Sequence, residues 1–444
     1  MAFPFRNPFR RRDGAPMQTR RFDGAAGGRR GFGIGSFGRV GSETVLAGPT
    51  LRNRARYQAA NNPWIANATA NIVGAMVGAG IEPTGNPDAV AYWNVWADSA
   101  DAEGRTDVRG LVAAVVLSMI VDGEAVLQII DAPEGPRVRL IPAELLDEAM
   151  TRELSDGRFI VSGVEFNADG TRAAYYILPN RPTDVFATTG NPIRVPASEI
   201  LHIYKPIGAG QVRGVSWLAS IILPANELDQ LVDALAMGAK VAAMFAGFIT
   251  NQNAVGGDDP FDGESQPSLE PGTLVRLGGG WDIKFAAPGQ VQQVEPLLKH
   301  GLRQLAAGLG IPSHMLDGDL SDANYSSLRA GLLPFRQRME QVQYHVLVPQ
   351  LLNPIWNRVV AHGVVSGEIA APDYETNPRA YRAEWIMPAA MQVDPQKQVN
   401  ADIAELKAGL TSRRKLVAQR GWALADLDAE LQAEGWKPEA KSNG

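Results

Sequence analysis

The 444-residue chain contains no cysteine. That excludes disulfides, thiolate zinc sites, iron–sulfur clusters and cysteine nucleophiles. Histidine is scarce: His202, His300, His314, His345 and His362 are the whole set. No two of them share a helical turn, so no histidine metal motif is visible. No apolar run reaches the ~18 residues of a transmembrane helix. The opening MAFPFRNPFRRR has no apolar core of the kind a signal peptide needs, so none is expected. The expectation is a soluble protein made inside the cell, with no membrane partner. The G-x-x-x-x-G-K-[ST] pattern of ATP-binding loops is missing. So is the G-x-S-x-G elbow of serine hydrolases, since Gly214-Val215-Ser216-Trp217-Leu218 ends in Leu where Gly is required.

What is present is ordinary for a globular protein: 45% hydrophobic and 20% charged residues, with net charge −6. The length suits two or three domains. Charge is unevenly placed. Residues 1–39 hold nine Arg, among them Arg10, Arg11, Arg12, Arg20, Arg21, Arg29 and Arg30, against Asp13 and Asp23. That segment therefore carries +7 and the remainder −13. Such an Arg/Gly-rich arm reads either as a contact for nucleic acid, capsid or acidic protein, or as a solvated tail.

Along the body, residues 54–79 read as a helix with small apolar residues on one face, closed by Gly78, Gly80 and Pro83. Residues 109–120 read as a buried helix, followed by an Asp122-Gly123 turn and a strand over Ala125–Ile130. Between 136 and 204, short β runs alternate with turn signals, which predicts a small, mostly antiparallel β region. Residues 216–246 are rich in Ala and Leu and predict a long helix, with Pro224 as a kink or a second start. An acidic loop (251–272) precedes a β pair of TLVRL and WDIKFA, and 290–309 predicts another helix. Leu328, Leu332, Phe335, Met339, Val342 and Val346 step at helical spacing, with Pro334, Pro349 and Pro354 expected to bend or interrupt the helix. Three short helices close the chain, the first starting at Asp394-Pro395.

Few motifs point to chemistry. Gly33-Ile34-Gly35-Ser36-Phe37-Gly38 matches G-x-G-x-x-G, but an Arg/Gly tail precedes it and a Gly/Thr/Pro-containing segment follows. A dinucleotide fingerprint requires a strand before and a helix after, so no cofactor is expected. Asp317, Asp319 and Asp322 cluster between two predicted helices, without the spacing of an EF-hand. His314 beside them reads as a polar loop residue. No catalytic constellation assembles, and no enzyme and no metal site are expected.

The order of motifs is more telling than any one of them. An Arg-rich start leads to ARYQAANNPWIANATANIVGAMVGAGIEPTG, then DGEAVLQII, a β region, and QVRGVSWL (211–218). LAAGLGIP (305–312) and NYSS (324–327) follow, and then the Pro-containing helix. The chain thus resembles the lambda family of tailed-phage portal proteins over roughly residues 40–435. The resemblance implies an α+β portal-type fold. Its parts would be a flexible arm (1–39), a mixed α/β wing (40–215), a stem helix (216–246), a small α/β clip (247–289) and a second stem helix (290–310). A tunnel loop (311–324), a long kinked wing helix with a strand (325–389) and a helical crown with its tail (390–444) would follow. It implies a homo-oligomeric ring, usually of twelve copies, at one capsid vertex of the virion, made in the host cytoplasm. Double-stranded DNA would pass through its channel, with Ser313, His314, Asp317, Asp319 and Asp322 in the tunnel loop. The implied partners are the major capsid protein, the terminase large subunit and, later, a head–tail connector. A head–tail adaptor ring and a nucleic-acid-processing enzyme are the competing readings.

Overall fold

The computed structural model describes residues 22–25, 37–179, 190–244, 248–251, 281–284, 294–321, 324–389 and 394–436. It is a helix-rich α+β chain in two compact units, one formed by residues 1–222 with 308–444 and the other by 223–307.

The first unit opens with helix α1 (Val40–Asn61) and helix α2 (Pro63–Val77). The single helix expected over 54–79 is broken at Asn62-Pro63. Pro63 has no N–H to continue α1, and the Asn62 side chain accepts from the Trp64 and Ile65 N–H groups to start α2. A helix does follow the Gly33–Gly38 motif, because α1 begins at Val40 and runs through Pro49. The expectation of a non-helical segment there was wrong. Ala47, Leu51 and Ala55 bury a face that carries the helix across the proline. Within the 1–39 arm, Phe22–Ala25 is docked rather than solvated: Arg54 donates to the Gly24 carbonyl at 2.6 Å and Phe22 meets Phe37 edge to face. The seven arm arginines named above lie outside the described residues.

Strand β1 (Glu82–Thr84) is followed by helix α3 (Pro87–Ala97), which sequence periodicity did not suggest. Helix α4 (Val108–Val121) and strand β2 (Ala125–Ala132) match expectation closely. Strands β3 (Gly135–Ile141), β4 (Arg152–Glu153), β5 (Phe159–Val161), β6 (Val164–Phe166), β7 (Arg172–Ile177), β8 (Ile193–Pro196) and β9 (Ile200–Ile203) form two sheets, ordered β3-β2-β9 and β4-β5-β6-β7-β8. All their strand pairs are antiparallel. Val126, Ile141, Leu146, Val164, Tyr175, Val195 and Ile200 form the buried cluster that joins the two.

The second unit is built from helix α5 (Ile222–Met244), strands β10 (Phe248–Asn251) and β11 (Trp281–Lys284), and helix α6 (Val294–Leu309). Pro224 lies in the first turn of α5, where a missing N–H costs nothing, so the helix starts there instead of kinking. The helix is shorter than the 216–246 expected from sequence: the 23 residues of α5 span about 35 Å. The strand WDIK pairs antiparallel with Phe248–Asn251; its expected partner TLVRL and most of the 251–272 loop lie outside the described residues. Gly301 of α6 gives Leu228 of α5 room to approach, since a Cβ there would fall 2.7 Å from the Leu228 Cδ1.

Back in the first unit, helix α7 (His314–Asp317) is a single turn inside the segment expected to be loop. Helix α8 (Tyr325–Val342), a ten-residue π-helix (Gln343–Leu352) and helix α9 (Asn353–Ser366) follow without a break. None of the three prolines ends the rod: Pro334 lies inside α8, Pro349 inside the π-helix where the register widens, and Pro354 in the first turn of α9. Phe335, Met339, Val342 and Val346 are buried as the stripe predicts, while Leu328 and Leu332 are half-buried. Strand β12 (Glu384–Ile386) pairs with β1, and Trp93, Trp356 and Trp385 pack in tilted and edge-to-face contacts with ring centroids within 6.0 Å of one another. Helices α10 (Pro395–Lys407), α11 (Arg413–Gln419) and α12 (Leu424–Ala433) close the described chain.

Candidate functional site

The segment 311–324 begins where Gly310, at φ +72°, ends α6. Ile311 and Leu316 are buried, and Leu316 anchors α7 against the rest of the first unit. Two side chains of α2 hold the turn by its backbone. Asn67 donates to the Leu316 carbonyl at 2.9 Å and Asn71 to the Met315 carbonyl at 2.7 Å. Gly318, in the left-handed region at φ +73°, caps the turn. Beyond it the chain folds on its own acids: the Asp317 carboxylate accepts from the Asp319 N–H, and the Asp319 carboxylate accepts from the N–H and hydroxyl of Ser321. Asn324 then starts α8 in a reciprocal cap with Ser327.

Ser313 and Asp319 are exposed, and His314 and Asp317 half-buried; Asp322 lies outside the described residues. The structure therefore brings Ser313, His314, Asp317 and Asp319 onto one short connector. It also shows that two of the acids shape the turn besides charging it. Among the described residues, no three His, Asp or Glu side chains converge as a metal-binding set, and no helix is long and apolar enough to cross a membrane.

The densest charge cluster lies elsewhere, and sequence reading missed it. Glu124, fully buried at the start of β2, accepts from Arg213 Nε at 2.9 Å, from the Gly214 N–H at 2.7 Å and from His202 Nε2 at 2.9 Å. The antiparallel register of β2 and β9 places His202 opposite Val126, close enough to reach that carboxylate. Arg213 spends its other donors on the Ser162 and Ala143 carbonyls, both at 3.0 Å. Arg52 of α1 adds Glu124 at 3.3 Å and Glu148 at 2.6 Å. Backbones meet here as closely as side chains do. Gly123 has φ +94°, and a Cβ on it would lie 2.3 Å from the Ser216 nitrogen; a Cβ on Gly214 would lie 2.2 Å from the Gly123 carbonyl oxygen. DGEAV and QVRGVSWL are thus two halves of one lock, 90 residues apart in sequence.

Burial alone would push the Glu124 carboxyl up, but the Arg213 charge and the bonds from His202 and Arg213 outweigh it and hold the group well below the usual carboxylate range. Burial pushes the His202 imidazole down against the pull of Glu124. A neutral imidazole beside an ionised carboxylate must carry its proton on Nε2, which leaves Nδ1 as an acceptor with no partner. Glu124, His202, Arg213 and Arg52 are all buried, and Glu148 alone reaches the surface. The cluster fixes geometry.

This cluster makes stability pH-dependent with a definite sign. Below about pH 6.5 the unfolded His202 takes up a proton that the folded one refuses, and below about pH 4.5 the unfolded Glu124 does the same. Both effects lower stability on acidification. The urea midpoint is expected to fall between pH 6.5 and pH 5, and His202→Gln is expected to flatten that decline. An equally steep decline in the variant would place the titrating group elsewhere.

A family model described as "Phage portal protein, lambda family" matches residues 38–343, which includes α1 to α8 and the whole lock. The chain belongs to the lambda family of phage portal proteins. It is 24% identical over 394 residues to the portal protein of Escherichia phage N15, covering 80% of this chain and 74% of that one. With portal protein B of Escherichia phage lambda the identity is 25% over 334 residues, covering 64% of this chain and 61% of that one. The matches span 61–74% of the length of these portal relatives. Among solved structures, the neck of a native gene transfer agent particle computed with C12 symmetry aligns over 90% of this chain and 95% of that one, at 16% identity and TM-score 0.46.

Proposed function

We propose that this chain is the subunit of a portal ring set at one capsid vertex, through which double-stranded DNA is packaged and later ejected. The observation that carries the reading is the family match, which runs through the connector at 311–324 into α8. On this reading, residues 40–215 and 325–389 make the wing, 216–246 and 290–310 the stem, 247–289 the clip, 311–324 the tunnel loop and 390–444 the crown. The arm at 1–39 meets capsid or DNA, and terminase, capsid protein and connector dock in turn.

Physical chemistry supports it. Residues 311–324 contain Asp317, Asp319 and Asp322 but no Lys or Arg. A duplex that must slide is served by a wall that does not bind phosphate. A ring needs no chemistry of its own, and the buried lock supplies rigidity without any.

Electron microscopy of the purified chain tests the assembly. A closed ring of about a dozen subunits around a central hole is expected; a compact particle without a hole overturns the reading.

A further inference from the structure

Helix α7 has four residues, too few to hold a turn together in water without outside support. The last carbonyls of any helix have no partner in the helix itself. In α7 these include Met315 and Leu316. Gly318 turns the backbone away at φ +73°, and the Asp319 N–H, next in line for the Met315 carbonyl, goes to the Asp317 carboxylate instead.

Helix α2 supplies the missing donors from its side chains. Asn67 Nδ2 donates to the Leu316 oxygen at 2.9 Å and to the Met315 oxygen at 3.3 Å. Asn71 Nδ2 donates to the Met315 oxygen at 2.7 Å and to Asn67 Oδ1 at 3.3 Å. The two asparagines stand four residues apart, one turn of α2, so both amides meet one turn of the connector. Helix α2 gains nothing from them. Asparagine is a poor residue for a helix interior, and α2 packs through Ile65, Ala68, Ile72 and Met76 instead. Past the gripped carbonyls, Gly318 to Ser321 are exposed.

We infer that Asn67 and Asn71 are positioning residues for DNA passage: their amides fix where Asp317 and Asp319 stand. The inference rests on the portal reading for the DNA, though not for the grip itself.

The test is Asn67→Ala with Asn71→Ala in the full-length chain. Alanine favours the helix more than asparagine does, so ring formation and the urea midpoint should hold. Hydrogen exchange reads the connector, because the Leu316, Asp317 and Gly318 N–H groups close the turn onto Ser313 and His314. Their exchange should quicken roughly thirtyfold, and about fivefold in either single variant. Particles built with the double variant should hold less DNA than wild type. Asn67→Gln with Asn71→Gln keeps both amides and should recover part of both losses. If the double variant fails to assemble, the single variants carry the same test. Unchanged exchange overturns the grip. Faster exchange with normal DNA filling overturns the positioning role and leaves the portal reading standing. Wild-type protein that forms no ring overturns that reading and the positioning role with it.

Discussion

Replacing Glu124 with Gln is expected to destabilise the first unit by about 3–5 kcal/mol, the cost of leaving a buried ion without its partner. The carboxylate is fully buried and receives Arg213, Arg52, His202 and the Gly214 N–H. An amide keeps the shape but loses the charge, and it turns one acceptor into a donor aimed at other donors. Arg213→Lys should fail in a related way. A single ammonium cannot reach the carboxylate and the carbonyls of Ser162 and Ala143 at once, as the guanidinium fork does. The measurement is the urea midpoint of each variant, with Glu148→Gln as the control. Glu148 bonds Arg52 but is partly exposed, so its loss should cost about 1 kcal/mol. A double variant, Glu124→Gln with Arg213→Met, should cost less than the sum of its parts, because each substitution removes the partner the other leaves stranded. A loss under about 1 kcal/mol for Glu124→Gln would mean the lock does not hold the unit together.

The outline of this fold was legible because it rests on local rules. Asp107 caps α4, Asp394-Pro395 starts α10, and Gly310 stops α6, each as the residue types dictate. What local rules cannot show is which distant residues meet. Helix α3 was missed because Ala89, Trp93, Trp96 and Ala97 bury against partners that periodicity does not name. The asparagines of α2 read as mere polar interruptions, yet Asn67 and Asn71 grip carbonyls some 245 residues away. The lock offered one overlooked signal. Glu124 sits between the Asp122-Gly123 turn and the apolar start of β2, and a charge buried there requires a partner of opposite sign. Arg213, flanked by small residues in QVRGVS, is that partner. The same motifs that carry the family resemblance therefore owe their residue types to packing.

The largest effect on function is expected at the connector between α7 and α8, and its geometry dictates how to test it. Asp317 and Asp319 do two jobs: each carries charge, and each accepts a backbone N–H that shapes the turn beyond Gly318. Changing Asp317, Asp319 and Asp322 to Lys alters both at once. Changing them to Asn removes the charge and keeps the acceptors. Both variants should still assemble, since α7 is held from the other side by Asn67, Asn71 and the buried Leu316. On the portal reading, each Lys adds a phosphate contact in every copy of a ring, and each contact steepens the dependence of DNA affinity on salt by about 0.9 log units per log unit. DNA in transit would be held instead of passed. The Lys variant is therefore expected to stall packaging or ejection at low salt and to recover in part as salt rises. The Asn variant should sit near wild type, because it weakens repulsion without creating attraction. Particles counted for DNA content before and after triggered release give the readout. Lys particles that fill and empty normally at low salt would place these acids away from the duplex. Stalled Asn particles would show that the turn needs the carboxylates themselves.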